Sequence, residues 1–146
     1  MMEIRAATEF DCSEIAAISS ALGYPSSREE VERRFAQLRE HPKGHGIFVS
    51  LRREDSRVLG WVHVYGVHLL ESEGYAEIGG LVVLREFRRL GAGRALMAAS
   101  EEWAKSHQFS NVRLRSGMHR VDEAHLFYGS VGYLAAKQSM MFRKDL

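Results

Sequence analysis

The sequence has a single cysteine, Cys12, so no internal disulfide framework can form. One thiol is typical of a protein in a reducing compartment, and we expect a cytoplasmic location. A small half-buried helix residue is the expected role of Cys12, with a catalytic nucleophile as the alternative. No apolar run approaches the length of about eighteen residues that a membrane span needs, and the first residues lack a signal peptide's apolar segment.

Basic and acidic residues are nearly equal in number, and the net charge is +1. This balance argues against a dedicated nucleic-acid-binding protein, which usually carries a basic excess. The seven histidines and one cysteine show no ligand-like spacing, so no metal site is expected. With 45% hydrophobic and 27% charged residues in 146, the composition predicts one globular domain over residues 1–146.

Hydrophobic periodicity predicts an α/β protein. Helices are expected from Thr8 to about Leu22, after the capping residue Ser27, from about Leu90 to Ser106, and over 122–131. Strands are expected over 3–7, 46–53, 57–67, 78–84, 111–116 and 135–144. The order predicts a mixed, mostly antiparallel central sheet, with a parallel crossover from the fourth strand through the third helix to the fifth strand.

A basic, glycine-containing turn lies between the fourth strand and the third helix. Arginines at 85, 88 and 89 precede Gly91-Ala92-Gly93, and Arg94 follows. A helix N-terminus with small residues exposes backbone N–H groups that attract phosphate oxygens, and guanidinium groups add positive charge. The residues match neither a Walker loop nor a dinucleotide fingerprint, which has Gly or Ala where Leu96 stands. The turn therefore predicts a site for another pyrophosphate.

Residues 88–93, Arg-Arg-Leu-Gly-Ala-Gly, resemble the Arg/Gln-x-x-Gly-x-Gly/Ala loop of the GCN5-related N-acetyltransferase (GNAT) superfamily. The element order resembles that superfamily over essentially the whole chain, which implies the acyl-CoA N-acyltransferase fold and acetyl-CoA as co-substrate. By resemblance, the main chain of the fourth strand and the turn would hold acetyl-CoA. The cofactor-binding residues so implied are Leu81, Val82, Val83, Arg88, Arg89, Leu90, Gly91, Ala92, Gly93 and Arg94.

A second stretch, 124–133, matches the superfamily signature Ala-x-x-Phe-Tyr-x-x-x-Gly-Phe/Tyr. The resemblance makes Tyr128 the proton donor to the leaving sulfur. A phenol titrates near ~10 and a thiol near ~8.5, so the phenol is protonated at neutral pH. A tyrosine packed on the sheet, with its hydroxyl in solvent, is the alternative.

Glu77 is the candidate general base. It precedes Arg88 by eleven residues, the offset of the catalytic glutamate in the histone-acetylating branch of the superfamily. A strand-edge glutamate paired with an arginine is the alternative role. Loss of the proton through a water chain, or to His63 or His68, also remains open. The adjacent glycines 79 and 80 indicate either a bulge or close packing against a helix.

The resemblance implies transfer of an acetyl group to a primary amine by direct attack in a ternary complex, because no activated nucleophile is evident. The acceptor loops would be 23–26, 68–73 and the region around Ser139. A small-molecule amine is favoured, and a protein amine is possible. A non-catalytic acyl-CoA binding or sensing module is the alternative function. No membrane partner is expected, and a homodimer is plausible by resemblance.

Overall fold

The computed structural model describes residues 2–41, 44–117 and 124–146. The strands are β1 (Met2–Ala6), β2 (His45–Arg52), β3 (Arg57–Val67), β4 (Tyr75–Val83) and β5 (Val112–Leu114). The α-helices are α1 (Cys12–Ala21), α2 (Arg28–Arg39), α3 (Ala92–Ser106) and α4 (Leu126–Ser130). Short 3-10 helices, Glu9–Asp11 and Arg85–Leu90, precede α1 and α3.

The five strands form one sheet in the order of the chain. Neighbours from β1 to β4 are antiparallel, whereas β5 is parallel to β4. Helix α3 connects those two parallel strands, as the sequence predicted. The mixed, mostly antiparallel sheet is therefore confirmed.

The chain divides into two compact units, one up to Arg115 and one from Ser116 onward. The first unit holds the sheet and helices α1 to α3, and α4 is the regular element described in the second. The fourth helix was predicted over 122–131; residues 122 and 123 lie outside the described residues, and α4 covers Leu126–Ser130. The single domain expected from chain length stays a prediction.

The predicted strand or strands over 135–144 are wrong, because these residues form neither strand nor helix. The side chains of Met140, Met141 and Phe142 are exposed. A strand needs a neighbouring strand for its backbone hydrogen bonds and a core for one face. The described part of this unit offers no strand for pairing.

Two helix layers cover opposite faces of the sheet. On the α1 face, Ile15 and Ile18 pack against Val49, Val58 and Val82. Trp61 of β3 points to this face, since its indole N–H donates to Ser19 Oγ of α1 at 3.1 Å. On the other face, α3 lies so close that a Cβ on Gly46 of β2 would stand 2.7 Å from the Trp103 ring.

Cys12 is fully buried at the start of α1. Burial raises the pKa of its thiol, so the reactive thiolate is disfavoured. The packing role that we expected for Cys12 agrees with this position.

The pairing of β3 with β4 is interrupted by a bulge at Gly79. His63 pairs with Gly80 and Val64 with Ile78, so Gly79 has no partner across the ladder. Gly79 is also exposed, although Ile78 before it is buried. The bulge expected at these glycines is therefore present, whereas packing against a helix is not. A Cβ on Gly80 would stand 2.8 Å from the ring of Trp61, which belongs to β3.

Candidate functional site

The turn between β4 and α3 has a sharp break at Gly91. The third helix was expected from about Leu90, but Arg85–Leu90 forms a 3-10 helix and α3 begins at Ala92. Gly91 separates them with φ +86, in the left-handed region that glycine tolerates best. A Cβ built on Gly91 meets nothing within 4 Å, so the space above this turn is open.

The start of α3 suits an anion. The first N–H groups of an α-helix lack intrahelical acceptors and lie at the positive end of the helix dipole. No acidic residue occupies the first turn of α3. Ala92 and Gly93 are buried and small, while Arg94 is exposed beside them. These residues therefore fit the diphosphate of a coenzyme, which needs donors, positive charge and room.

Aromatic and cationic contacts fix the turn to the body of the first unit. The Phe87 ring packs against the core on the α1 face. The guanidinium carbons of Arg52 and Arg57 lie 5.5 and 5.7 Å from its centroid. Arg88 Nε donates to the Val83 carbonyl at 3.3 Å and so fastens the turn to the end of β4.

Among the residues that the structure describes, the second half of β4 pairs with no strand on the side where β5 lies. Strand β5 pairs with β4 only along Ala76–Ile78. Beyond Ile78, the described residues provide no strand on that side of Leu81, Val82 and Val83. An unpaired strand edge can accept an extended ligand by β-augmentation. This edge leads directly to the turn, so a long ligand could follow both.

The ten sequence-predicted cofactor residues lie along this route in two runs, 81–83 and 88–94. Three lie in β4, three in the 3-10 helix, one at the left-handed turn and three in the first turn of α3. In chain order they are Leu81, Val82, Val83, Arg88, Arg89, Leu90, Gly91, Ala92, Gly93 and Arg94.

Glu77 lies on the α1 face of β4 and is 9% exposed. Its Oε2 accepts a short hydrogen bond from the Tyr65 hydroxyl on β3. Arg115 Nε lies 3.2 Å from Oε1, yet the geometry makes no hydrogen bond, and Oε1 is buried without one. The carboxylate is thus held by one oxygen and retains hydrogen-bonding capacity on the other.

Tyr65 keeps its proton in this arrangement. Burial, together with the hydrogen bond to Glu77 and its charge, raises the pKa of Tyr65 to about 12. The phenol is therefore the donor to the Glu77 carboxylate at neutral pH. The sequence analysis gave pairing with an arginine as the alternative role of Glu77 but did not identify that arginine as Arg115. It did not anticipate the hydrogen bond from Tyr65.

Two histidines lie beside this group on the same face. His45 Nδ1 and His63 Nε2 are 3.0 Å apart, and their ring centroids are 5.2 Å apart. Burial, followed by the neighbouring His45, lowers the pKa of His63 to about 4. His63 is therefore neutral at physiological pH. His45 was missed in the sequence, although counting back along the β2–β3 hairpin pairs it with Tyr65.

Tyr128 lies in α4, within the second unit. It is half-buried, and its ring contacts the rings of Phe127 and Tyr133 edge to face. Its backbone carbonyl accepts a hydrogen bond from Tyr133 N at 3.0 Å, which closes the helix C-terminus. The signature residues thus contact one another, and the role of Tyr128 stays a prediction.

The expected acceptor loops are exposed. Tyr24 is 55% exposed, and Glu71 and Glu73 lie on the surface. Among the residues that the structure describes, no three His, Cys, Asp or Glu side chains are grouped as metal ligands. Across the same residues, none of the helices is both long and apolar enough to span a membrane.

Comparison with known proteins identifies a family for this chain. The family model described as "Acetyltransferase (GNAT) family" matches residues 10–133. No curated protein is similar enough in sequence to count as a relative.

Three solved structures are similar over nearly their whole length. An acetyltransferase from Trypanosoma brucei is 25% identical, with all of both chains covered and a TM-score of 0.76. Glucosamine-6-phosphate N-acetyltransferase from Arabidopsis thaliana is 21% identical, with 99% of each chain covered and a TM-score of 0.82. An aminoglycoside 6'-N-acetyltransferase from Acinetobacter baumannii is 18% identical, with 100% of this chain and 99% of that one covered and a TM-score of 0.83.

Proposed function

The chain belongs to the acetyltransferase (GNAT) family, and we propose that it is an acetyl-CoA-dependent N-acetyltransferase for the primary amine of a small molecule. The observation that carries the proposal is the continuous route from the open edge of β4 to the N-terminus of α3. A left-handed glycine and a basic turn lie along it. We include a cytoplasmic location, on the strength of the single, buried cysteine.

Acetyl-CoA supplies the acetyl thioester. The backbone N–H groups at the start of α3, with Arg88, Arg89 and Arg94 near them, would hold its pyrophosphate. Backbone groups of Leu81, Val82 and Val83 would pair with the pantetheine arm as an added strand. A backbone donor of β4 would stabilise the oxygen that becomes negatively charged during acyl transfer.

Glu77 is our candidate base for the acceptor amine. Its Oε1 is the atom available to take a proton, because Oε2 is occupied by the Tyr65 hydroxyl. Burial excludes most water from the carboxylate, which suits a positioned proton acceptor. Tyr128 is our candidate donor to the departing sulfur.

A small-molecule acceptor is supported by the names of two structural neighbours. One is named for acetylating glucosamine-6-phosphate and the other for aminoglycosides. Both acceptors are small molecules. The carboxylates of Glu71 and Glu73 would attract such a cationic amine by electrostatic steering.

The test is calorimetric titration of acetyl-CoA into the purified protein, followed by a thiol-release assay over a panel of primary amines. We expect saturable binding and release of coenzyme A with at least one amine. Binding without turnover on any amine would favour an acyl-CoA-sensing module. Absence of binding would contradict the role that we assign to the β4–α3 turn.

A further inference from the structure

The imidazoles of His63 and His45 form a hydrogen-bonded pair on the α1 face of the sheet. His63 lies on β3, opposite Ile47 and the bulged part of β4, and His45 begins β2 two residues before Ile47. The pair is joined through His63 Nε2 and His45 Nδ1. Each imidazole therefore keeps its other ring nitrogen for a further interaction.

The second nitrogen of His63 lies beside the bulge in β4. A Cβ built on Gly79 would stand 3.0 Å from His63 Nδ1. Because glycine has no such atom, the imidazole can pack directly against the strand at its exposed point. Among the described residues, His63 Nδ1 makes no hydrogen bond. It is thus an available proton acceptor on the Glu77 side of the sheet.

A shared hydrogen bond couples the protonation of the two rings. When His63 Nε2–H donates to His45 Nδ1, the Nδ1 atom of His63 carries a lone pair. A proton taken up at that Nδ1 allows the Nε2 proton to pass to His45. The positive charge then moves from β3 to β2 without any movement of the rings.

Acetyl transfer needs an outlet for a proton. When an ammonium group becomes an amide, the nitrogen forms a bond to the acetyl carbon, and that carbon's bond to sulfur breaks. The nitrogen loses two protons in total. Tyr128 is proposed to give its proton to the leaving sulfur and then to recover one of these two protons, so the other must reach solvent. Glu77 is proposed to accept one of the two from the nitrogen, so a second acceptor is needed for the other.

We propose that His63 and His45 form this outlet, in which His63 Nδ1 takes the second proton from the substrate nitrogen and His45 passes it to solvent. The inference rests on the proposed acetyltransferase function and adds two residues to it. His63 is a catalytic residue in this scheme, and His45 acts through it.

The surrounding groups favour passage of the proton rather than its storage. Burial lowers the pKa of both imidazoles, and His41 lowers that of His45 further. Tyr65 packs against both rings and stays protonated, so it competes for no proton. Beyond Tyr65, the Glu77 carboxylate and the Arg115 guanidinium have opposite charges and form an ion pair. A proton entering His63 is therefore released rather than held.

The test compares His63→Gln, His63→Ala and His45→Gln with the unmodified protein, using the best amine from the thiol-release panel. We expect His63→Gln to lower kcat by about 100-fold, in the range of a lost acid–base group, with little change in the KM for acetyl-CoA. Added imidazole should restore part of the activity of His63→Ala, whereas a merely structural role would give no rescue. His45→Gln should lose activity in dilute buffer and regain it as buffer concentration rises.

His107→Gln is the matched control. His107 directly follows α3, and its ring stacks on Trp103 of that helix, so it is on the opposite face of the sheet. We expect wild-type kinetics from this variant. Wild-type activity in His63→Gln, or a loss that neither imidazole nor buffer relieves, would overturn the outlet and leave the acetyltransferase function standing. Failure of the unmodified protein to bind acetyl-CoA would instead overturn the function, and the outlet with it.

Discussion

At the scale of single residues, the carboxylate of Glu77 is positioned by two neighbours. Tyr65 donates a hydrogen bond to it, and Arg115 places a positive charge beside it. The residue itself is buried in β4. The result is an oriented carboxylate on a rigid strand, which is what a proton acceptor in an acyl-transfer site requires.

Replacing Glu77 by Gln should lower the acetylation rate by about 100-fold, because the amide keeps the shape but cannot accept the proton. The loss should be greatest at low pH, where most of the amine is protonated. Initial rates across the pH range, measured by thiol release, check this. Glu102→Gln, an exposed change at the far end of α3, is the control. A pH–rate profile that matches the unmodified protein would exclude Glu77 as the base.

Replacing Tyr128 by Phe should reduce kcat and leave the affinity for acetyl-CoA unchanged, because only the hydroxyl is removed. Steady-state kinetics and calorimetry together measure both quantities. Tyr133→Phe is a matched control, since its ring packs beside Tyr128 and the signature tolerates either residue there. Equal turnover in Tyr128→Phe and the unmodified protein would remove this hydroxyl from the mechanism.

Asp11 is a structural carboxylate whose contribution depends on pH. It is buried, Arg5 binds it with two nitrogens at 2.7 and 2.9 Å, and Thr8 N–H donates to it at 2.7 Å. Burial raises its pKa, but the hydrogen bonds from Arg5 and Thr8 outweigh that effect and leave the pKa below its usual value. The charged form therefore stabilises the fold above the unfolded-state pKa.

Asp11→Asn should lower the free energy of unfolding by about 2 kcal/mol near neutral pH, because the charge-assisted hydrogen bonds are lost. The difference from the unmodified protein should shrink as pH falls below about 4, through the lowered folded-state pKa, where Asp11 becomes protonated in both states. Urea denaturation at a series of pH values measures this. A difference that stays constant across the series would contradict the assignment.

At the scale of elements, the turn from β4 to α3 depends on Gly91. Its φ of +86 is strained for other residues, yet a Cβ there would meet no atom of the described residues within 4 Å. Any side chain would therefore extend into the space that we assign to the pyrophosphate. A substitution at Gly91 should therefore affect ligand binding more than it affects the packing of the protein.

Gly91→Glu should abolish measurable acetyl-CoA binding, because a carboxylate would oppose the phosphates in that space. Calorimetry gives the affinity directly. Gly23→Glu is the matched control for binding, since Gly23 has φ +90 and also has open space around its Cα. Because both glycines have a φ close to +90, backbone strain of this kind would affect both variants and would not explain a loss confined to Gly91→Glu. Wild-type affinity in Gly91→Glu would refute the location of the pyrophosphate.

The sequence predicted this turn well because its signals are local. An apolar run, a basic turn with glycine and a helical repeat follow one another within thirty or so residues. The β2–β3 hairpin and the parallel crossover to β5 could be predicted for the same reason. The start of α3 was placed about two residues early, because periodicity does not show the left-handed break at Gly91.

The Tyr65–Glu77–Arg115 group could not be predicted in this way. Tyr65 and Glu77 lie on β3 and β4, and Arg115 directly follows β5. Their proximity becomes evident only when the register of β3 with β4 and of β4 with β5 is known. The strand expected over 135–144 failed for a related reason. Alternation shows that a segment can form a strand, whereas pairing depends on a partner elsewhere in the chain.

At the scale of the whole molecule, the net charge of +1 sets its long-range behaviour. The arginines near α3 are concentrated at one turn, and the remaining charges nearly cancel. Binding to duplex DNA depends on neutralising many phosphates at once. The chain should therefore show no affinity tighter than about 100 μM for a labelled duplex at physiological salt, as measured by fluorescence anisotropy. Micromolar binding would contradict this prediction and indicate a nucleic-acid-binding protein.

The bulge at Gly79 has a consequence for which side of the sheet carries chemistry. Glu77 and Val82 are an odd number of residues apart, so in a regular strand they would face opposite sides. The unpaired glycine shifts the alternation by one residue, so the side chains of Glu77 and Val82 both face α1. Across the ladder, Glu77 pairs with Tyr65 and Val82 pairs with Trp61. A deletion of that one residue would keep the composition of the strand almost intact, yet it would turn the Glu77 charge into the apolar layer beneath α3. The polarity of the two faces thus depends on a shift of a single residue in one strand.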